Sequence, residues 1–424
     1  MNNVRSDSNT LIWTFKIEKA IEYLTYLMIL LFYTGRVFQV FTVVIDILFI
    51  ILLVLRHDKE FIENNKSLFL LWGAFFVYLL IQSLFANHVL VAMANSVGMI
   101  RFVILFFALI YVFNTRKKIK NLILSSFIII ATLFVDATIQ YITGEDIFGY
   151  PLFEGKRLTC WSDISRLSES VAIFGGIVLA SFLIIKNKLL PLVIMTFLIL
   201  ILLFSGNRGP VVYLTGAFFT VLLFSNYWKY LLAVMTGFFI IAFLALSLDS
   251  RLHEQFSVYK NPFISENNAG RTTIYKVGIE MIKENPLLGI GGKNFRYEFR
   301  DYYLKTYEGD KNKGYWDKIF GSISPYHAHS LFFSFLLNWG LLGTVFFFYI
   351  LYKIYLKYIH QNDVAILCSV GFVYTIAPFN FGKSIAQSPW QFFVFLTLAF
   401  VVILGTYNQL YKEDESMKKK MKKI

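Results

Sequence analysis

Charge is scarce in this chain: Asp, Glu, Lys and Arg make up 16% of 424 residues, against about 25% in an ordinary soluble domain. Cysteine is nearly absent. Cys160 and Cys368 fall on different segments, which argues against a disulfide framework, and their spacing suggests no metal site. There is no GxxxxGK[ST] loop and no plausible set of metal-ligand carboxylates, so nucleotide-driven chemistry lacks its usual residues. No cleavable leader is expected, because the first apolar run is followed at once by another. Alternation of period two is also missing from the apolar runs, which excludes a β-barrel.

What the chain has instead is hydrophobic length. It is 57% hydrophobic and 18% aromatic, with 46 Phe. Continuous apolar runs recur from end to end, which predicts an all-α polytopic integral membrane protein. At the membrane length of roughly 20 residues, about twelve transmembrane helices are expected, near 20–35, 37–55, 67–86, 95–114, 120–142, 169–186, 189–205, 210–226, 229–248, 328–356, 363–380 and 389–407. The fourth is interrupted by Arg101. The division is then 1–248, nine helices with short loops; 249–327, one large loop containing amphipathic helices; and 328–424, three helices and a basic tail.

A net charge of +13 would suit a nucleic-acid partner, but in a membrane chain it has a simpler source, basic loops beside anionic lipid. "RHDKEFIENNK" (56–66), "TRKKIK" (115–120), "KNK" (186–188), "YLKYIH" (355–360) and the tail "MKKKMKKI" (417–424) fall on one side of this topology. That side is assigned as cytoplasmic, with both termini on it. The other side receives the 143–168 loop, the "SGNRGP" turn, the 249–327 segment and "FGKSIAQSP" (381–389). Within the large loop, Ile274, Val277, Met281 and Ile282 share one helical face, with Lys276, Glu280 and Lys283 elsewhere. The expectation is a helix lying on the membrane surface or over a cavity, ended by Pro286 and a glycine-rich turn.

Seven side chains are then gathered on the outer side: Arg36, Arg157, Arg208, Arg271, Lys383, His327 and His329. Arg208 stands in a turn of about five residues between two spans, close to the membrane surface, and Arg271 opens the amphipathic helix. A guanidinium offers a planar fork that suits phosphate bidentately, so arginines converging at one bilayer face would suit a diphosphate headgroup. Individually, Arg36 and Arg157 read more readily as snorkelling anchors than as ligands. "SPYHAHSLFFSFLLNWGLLG" (324–343) places His327 and His329 at the lip of a helix expected to start near Ser330, and Gly340 and Gly343 would let that helix pack closely on a neighbour. A neutral imidazole fixed there can take a proton from a sugar hydroxyl. If both histidines were helical they would point roughly 200° apart and could not share a task.

These segments resemble the O-antigen ligase family, within the superfamily that also holds O-antigen polymerases and O-linked oligosaccharyltransferases. The likeness rests on "HSLFFSFLLNWGLLG", which fits His-[Asn/Ser/Gln]-x9-Gly-x2-Gly, on "GRTTIYKVGIEMIKENPLLGIGGKNF", on "SGNRGPVVYL", and on "VDATIQYITGEDIFGY" with "KRLT" after it. One departure is "RLTCWSDISRLSES", where relatives often have Gly-x-Phe and a proline. The resemblance implies metal-independent glycosyl transfer at the periplasmic face of the bacterial inner membrane, without cofactor. An undecaprenyl-diphosphate-linked glycan would be donor, and a sugar of the lipid A–core oligosaccharide would be acceptor. By the matching motifs His329 would be the base, Arg208 and Arg271 would bind the diphosphate and stabilise it as leaving group, and His327 would assist. Arg157, Arg36 and Lys383 remain candidates for substrate binding, and the membrane lipid is the remaining partner. An O-antigen polymerase, a protein O-oligosaccharyltransferase and a non-enzymatic lipid-linked glycan flippase are the competing readings. One dominant outer loop favours the ligase over the polymerase. A short basic tail counts against the oligosaccharyltransferase. Few charges inside the spans and no internal repeat count against the flippase.

Overall fold

In a bilayer every backbone N–H and C=O must be satisfied within the chain, and a long apolar run achieves this as a helix. The structure, a computed structural model, describes residues 4–32, 37–153, 157–161, 167–185, 187–206, 208–224, 270–307, 324–360 and 384–421, with isolated positions elsewhere. Among the described residues the regular structure is helical, apart from two isolated bridges, Glu145 with Pro151 and Phe153 with Arg157. The helices are α1 (Val4–Leu30), α2 (Val37–Arg56), α3 (Lys59–Leu84), α4 (Val89–Val112), α5 (Arg116–Thr143), α6 (Leu167–Ile184), α7 (Leu189–Phe204), α8 (Arg208–Phe224), α9 (Arg271–Glu284), α10 (Phe295–Thr306), α11 (Leu331–Ile354, continued by a π turn over Tyr355–Ile359) and α12 (Ser388–Met421).

Six of these stretches are long and apolar enough to cross a membrane: α2, α3, α4, α5, α11 with its π turn, and Pro389–Thr406 of α12. α7 is apolar but shorter. The expected spans at 229–248 and 363–380 lie largely outside the described residues. α3 begins eight residues before the apolar run suggested, at Lys59, because Asp58 caps it by accepting from the Phe61 N–H at 2.9 Å.

α12 is the hub. It packs on α4, α5 and α6, and its span is buried all round, from Trp390 through Phe392, Phe395 and Phe400 to Leu404. A helix apolar on every side belongs in the interior of a bundle. Aromatic rings fill the space between helices: Trp72 lies 5.3 Å from Phe395, and Phe75 5.3 Å from Trp339, between ring centroids. Such contacts, rather than hydrophobic exclusion, hold helices together inside lipid.

The two ends of the bundle differ. At one end Glu18 of α1 pairs with Arg56 of α2 and Lys118 of α5. Tyr111 of α4 there donates to Asp58 at 2.8 Å and accepts from Arg56 at 3.1 Å, and Lys357 and Tyr358 both donate to Asn65. Three of the basic loops expected on one side thus share one end. α3 and α11 run antiparallel, so the residues before α11 stand at the other end, together with α9 and α10.

Candidate active site

The site is built from the start of α11. Ser330 takes the N-cap position in extended backbone, and its hydroxyl accepts from the Phe333 N–H at 3.4 Å. A serine is favoured here because the first helical N–H groups have no partner within the helix. Directly before it, His329 has φ of 51°. This left-handed backbone costs a non-glycine residue of order 1–3 kcal/mol and tends to persist at functional positions. It turns the chain so that the rings of His327 and His329 lie 4.2 Å apart, centroid to centroid, at 37°. The expectation of opposed histidines is therefore overturned. It assumed helical spacing, but both residues precede the helix, and the left-handed turn at His329 folds one ring onto the other. His327 is buried and His329 half-buried.

α9 closes over this mouth. The hydroxyl of Tyr275 donates to the His329 carbonyl at 3.3 Å. Arg271 precedes Tyr275 by one helical turn and so shares its face. Burial pushes the Tyr275 hydroxyl up, and the nearby Arg271 opposes this. Ile274, Val277, Gly278 and Met281 are buried, and a Cβ on Gly278 would stand 2.8 Å from the Phe333 ring. The apolar face of α9 thus packs against both α10 and α11.

The glycine-rich turn after α9 plugs a break in α11. Gly340 has φ of 65° and ψ of −174° inside the helix. Its neighbours find partners in the turn: Ile290 N–H donates to the Leu337 carbonyl at 2.7 Å, Leu341 N–H to Pro286 at 2.9 Å, and Leu342 N–H to Leu287 at 3.1 Å. From α3, Tyr78 donates to the Trp339 carbonyl at 2.6 Å, and the Gln82 amide donates to Leu288 at 2.8 Å and Asn338 at 3.0 Å. A broken helix at membrane depth is tolerated when protein supplies the lost bonds. Gly343 does pack closely, its Cβ position 2.6 Å from Tyr78, but Gly340 breaks the helix instead of smoothing its face. Below the histidines, Asn338 donates to Ser334 Oγ at 2.8 Å, and the Ile385 N–H donates to the same oxygen at 3.1 Å. This fixes the 384–387 turn against α11.

Arg157 sits in a hairpin between α5 and α6. Its N–H donates to the Phe153 carbonyl at 3.0 Å, and Phe153 returns a bond at 2.9 Å. Asp146 secures the hairpin, accepting from Phe148, Tyr150 and Trp161 N–H groups at 2.7–2.9 Å, while Gln140 accepts from Thr159 at 2.9 Å. The Leu158 N–H donates to the Phe204 carbonyl at 3.3 Å, so this hairpin lies against the turn that leads to Arg208. Arg208 is the first residue of α8. Two associations emerge: α9, through Tyr275, with His329, and the Arg157 hairpin with the Arg208 turn. Arg36 and Lys383 lie outside the described residues.

Residues 190–348 match the family model described as O-antigen ligase. This stretch belongs to the O-antigen ligase family. The match runs from α7 to the later part of α11 and takes in Arg208, Arg271, His327 and His329, while Arg36, Arg157 and Lys383 fall outside it. No curated protein matches the chain. The O-antigen ligase match supports glycosyl transfer of the ligase or polymerase type by a multi-pass membrane protein. Inside the O-antigen ligase segment, sequence reasoning missed Tyr275 and the turn-to-helix plug. Outside it, Gln82 and Tyr78 were missed. Gln82 could have been suspected, since a primary amide in the apolar run "YLLIQSLF" requires a partner.

Proposed function

We propose that the chain is an O-antigen ligase, moving a glycan from an undecaprenyl diphosphate donor to a hydroxyl of the lipid A–core oligosaccharide at the periplasmic face of the inner membrane. The observation that carries this reading is the paired histidines at the mouth of α11, 4.2 Å apart between ring centroids, with Tyr275 of the Arg271 helix hydrogen-bonded to the His329 carbonyl and all of them inside the family match. The acceptor oxygen attacks the anomeric carbon, and its proton passes to the His329 imidazole. The bond from that carbon to the diphosphate oxygen breaks, and the lipid diphosphate leaves. The donor is already activated, so the protein's task is to orient the two substrates and to neutralise charge on the leaving group. Arg208 and Arg271 are assigned the neutralisation, and His327 holds His329 in position. The contact of its hairpin with the turn that leads to Arg208 supports Arg157 as a further candidate for the diphosphate. Arg36 and Lys383 keep only their sequence assignment.

Deletion of the gene followed by gel analysis of lipopolysaccharide tests the reading. Bare core with accumulated polymeric lipid-linked glycan is expected. Core bearing a single repeat would identify a polymerase instead, and an unchanged ladder would end both assignments.

A further inference from the structure

A strip of four side chains leads away from the histidines. Tyr326, next to His327 in the chain, is 65% exposed. The Arg296 guanidinium of α10 lies over its ring at 4.3 Å and over the Tyr297 ring at 5.1 Å. Tyr297, 45% exposed, lies 4.8 Å from His88, between ring centroids, in the α3–α4 turn. The His88 N–H donates to Asn294 at 3.1 Å and fixes that turn to the start of α10. Around His88 the chain shows bare apolar side chains, with Phe85 71% and Leu90 81% exposed. At the end of two spans such residues face lipid. The strip thus connects a lipid-facing edge to the lip where the histidines stand.

We propose that His88, Tyr297, Arg296 and Tyr326 form a sugar-binding platform for the acceptor oligosaccharide, an inference that rests on the function proposed above. Sugar rings carry apolar C–H faces and hydroxyl rims. Exposed aromatic faces suit the first, and the N–H donors of a guanidinium held beside them suit the second. The donor is held through its diphosphate by the arginines of α8 and α9. The acceptor is tethered in the bilayer, has no such anchor in this scheme, and must extend its sugars from the membrane to His329. A track that begins at lipid and ends beside the histidines suits that route.

The test uses the full chain in nanodiscs, with delipidated core oligosaccharide and the intact diphosphate-linked donor glycan as separate probes. Tyr326→Ala and Arg296→Ala should each weaken binding of the core oligosaccharide about tenfold, about 1.4 kcal/mol, and leave binding of the donor glycan as in wild type. Tyr326→Phe, which keeps the ring, should bind as wild type does. In transfer assays the Ala variants should raise KM for acceptor with little change in kcat. Wild-type binding by both Ala variants, or an equal loss with Tyr326→Phe, overturns the platform. Loss of donor-glycan binding alone overturns the acceptor assignment. Binding needs no turnover, so a wild-type protein that binds core oligosaccharide but transfers nothing refutes the ligase reading and leaves this result standing.

Discussion

Gly289 and Gly340 meet backbone to backbone. A Cβ on Gly340 would lie 2.5 Å from the Gly289 nitrogen and 2.2 Å from the Leu287 carbonyl oxygen, and one on Gly289 would lie 2.6 Å from the Gly340 nitrogen. Both residues have positive φ, 69° and 65°. Two penalties therefore coincide for any side chain: left-handed strain of order 1–3 kcal/mol and contact with backbone atoms that have no rotamer to escape into. Gly289→Ala and Gly340→Ala should each lower the unfolding temperature in detergent and abolish transfer. Gly98→Ala is the control. Its Cβ meets nothing within 4 Å, so stability should stay level or rise with the better helix former. Wild-type stability in either of the first two variants would show that the plug does not hold the break.

The partners of the break on α3 offer a second test. Gln82 donates from one amide to two carbonyls, Leu288 and Asn338, and is buried. Gln82→Leu removes the donor and leaves both carbonyls short of a bond in an apolar interior, at about 1–3 kcal/mol. Thermal unfolding should register that loss. Gln82→Glu should do worse, because an ionised carboxylate would face the same two acceptors. Equal stability of all three proteins would sink the assignment.

Glu298 on α10 gives a pH dependence. Burial pushes its carboxyl up to about 7, with Asp301 adding to the effect and a hydrogen bond from Asn87 opposing it. The folded protein then holds this proton more tightly than the unfolded chain, in which the carboxyl titrates near 4.5. Its contribution is most favourable below about pH 4.5 and is lost as pH rises toward 7, so above 7 the buried carboxylate penalises the fold. Glu298→Gln should raise the unfolding temperature at pH 8, with little change at pH 5. A gain of the same size at both pH values would show that the proton is not the cause.

Much of the scaffold was legible because lipid leaves few choices. Apolar runs located α2, α5 and α11, and the Arg-led amphipathic pattern located α9, since its apolar spacing could serve only a helix with one covered face. Helix polar extensions were not legible: α3 begins at Lys59, where a cap rather than hydropathy sets the boundary. Nor was the break at Gly340, because a small residue in a span reads equally as close packing or as a kink. The choice is made by a loop some fifty residues earlier, whose carbonyls and N–H groups take up the broken bonds. The pairing of His327 with His329 depends on one backbone dihedral, which the sequence does not print.

Arg208 and Arg271 carry the next prediction. Each Ala variant should reduce transfer strongly while the protein still inserts, because the leaving diphosphate would lose a fork of donors. Replacement by Lys should rescue poorly, since an ammonium is a point charge without the bidentate geometry. With charge neutralised by arginine, transfer by the purified protein should also survive chelator. A wild-type rate in either Ala variant removes that residue from the site, and activity lost in EDTA and restored by magnesium or manganese refutes metal-free neutralisation.

The last prediction separates the two histidines. Their rings are in contact, so neither can be removed without changing the surroundings of the other, and an all-or-none division of labour is not expected. His329 is tied to the rest of the site more directly, through its carbonyl to Tyr275 and through its sequence position before the Ser330 cap. General base catalysis contributes about 10²–10⁴-fold, so His329→Ala should lose transfer on that scale while donor binding through the arginines persists. His327→Ala should lose less, since it removes a wall that holds His329. Its pH–rate profile should move as well, because a second imidazole at this distance alters the charge that the first one faces. Tyr275→Phe should produce a small loss of the same kind by freeing the His329 carbonyl. Turnover and donor binding are measured separately in a reconstituted assay. If His327→Ala is dead while His329→Ala turns over normally, the roles are exchanged, and if both variants are active, proton transfer occurs elsewhere and the catalytic reading of the motif is wrong.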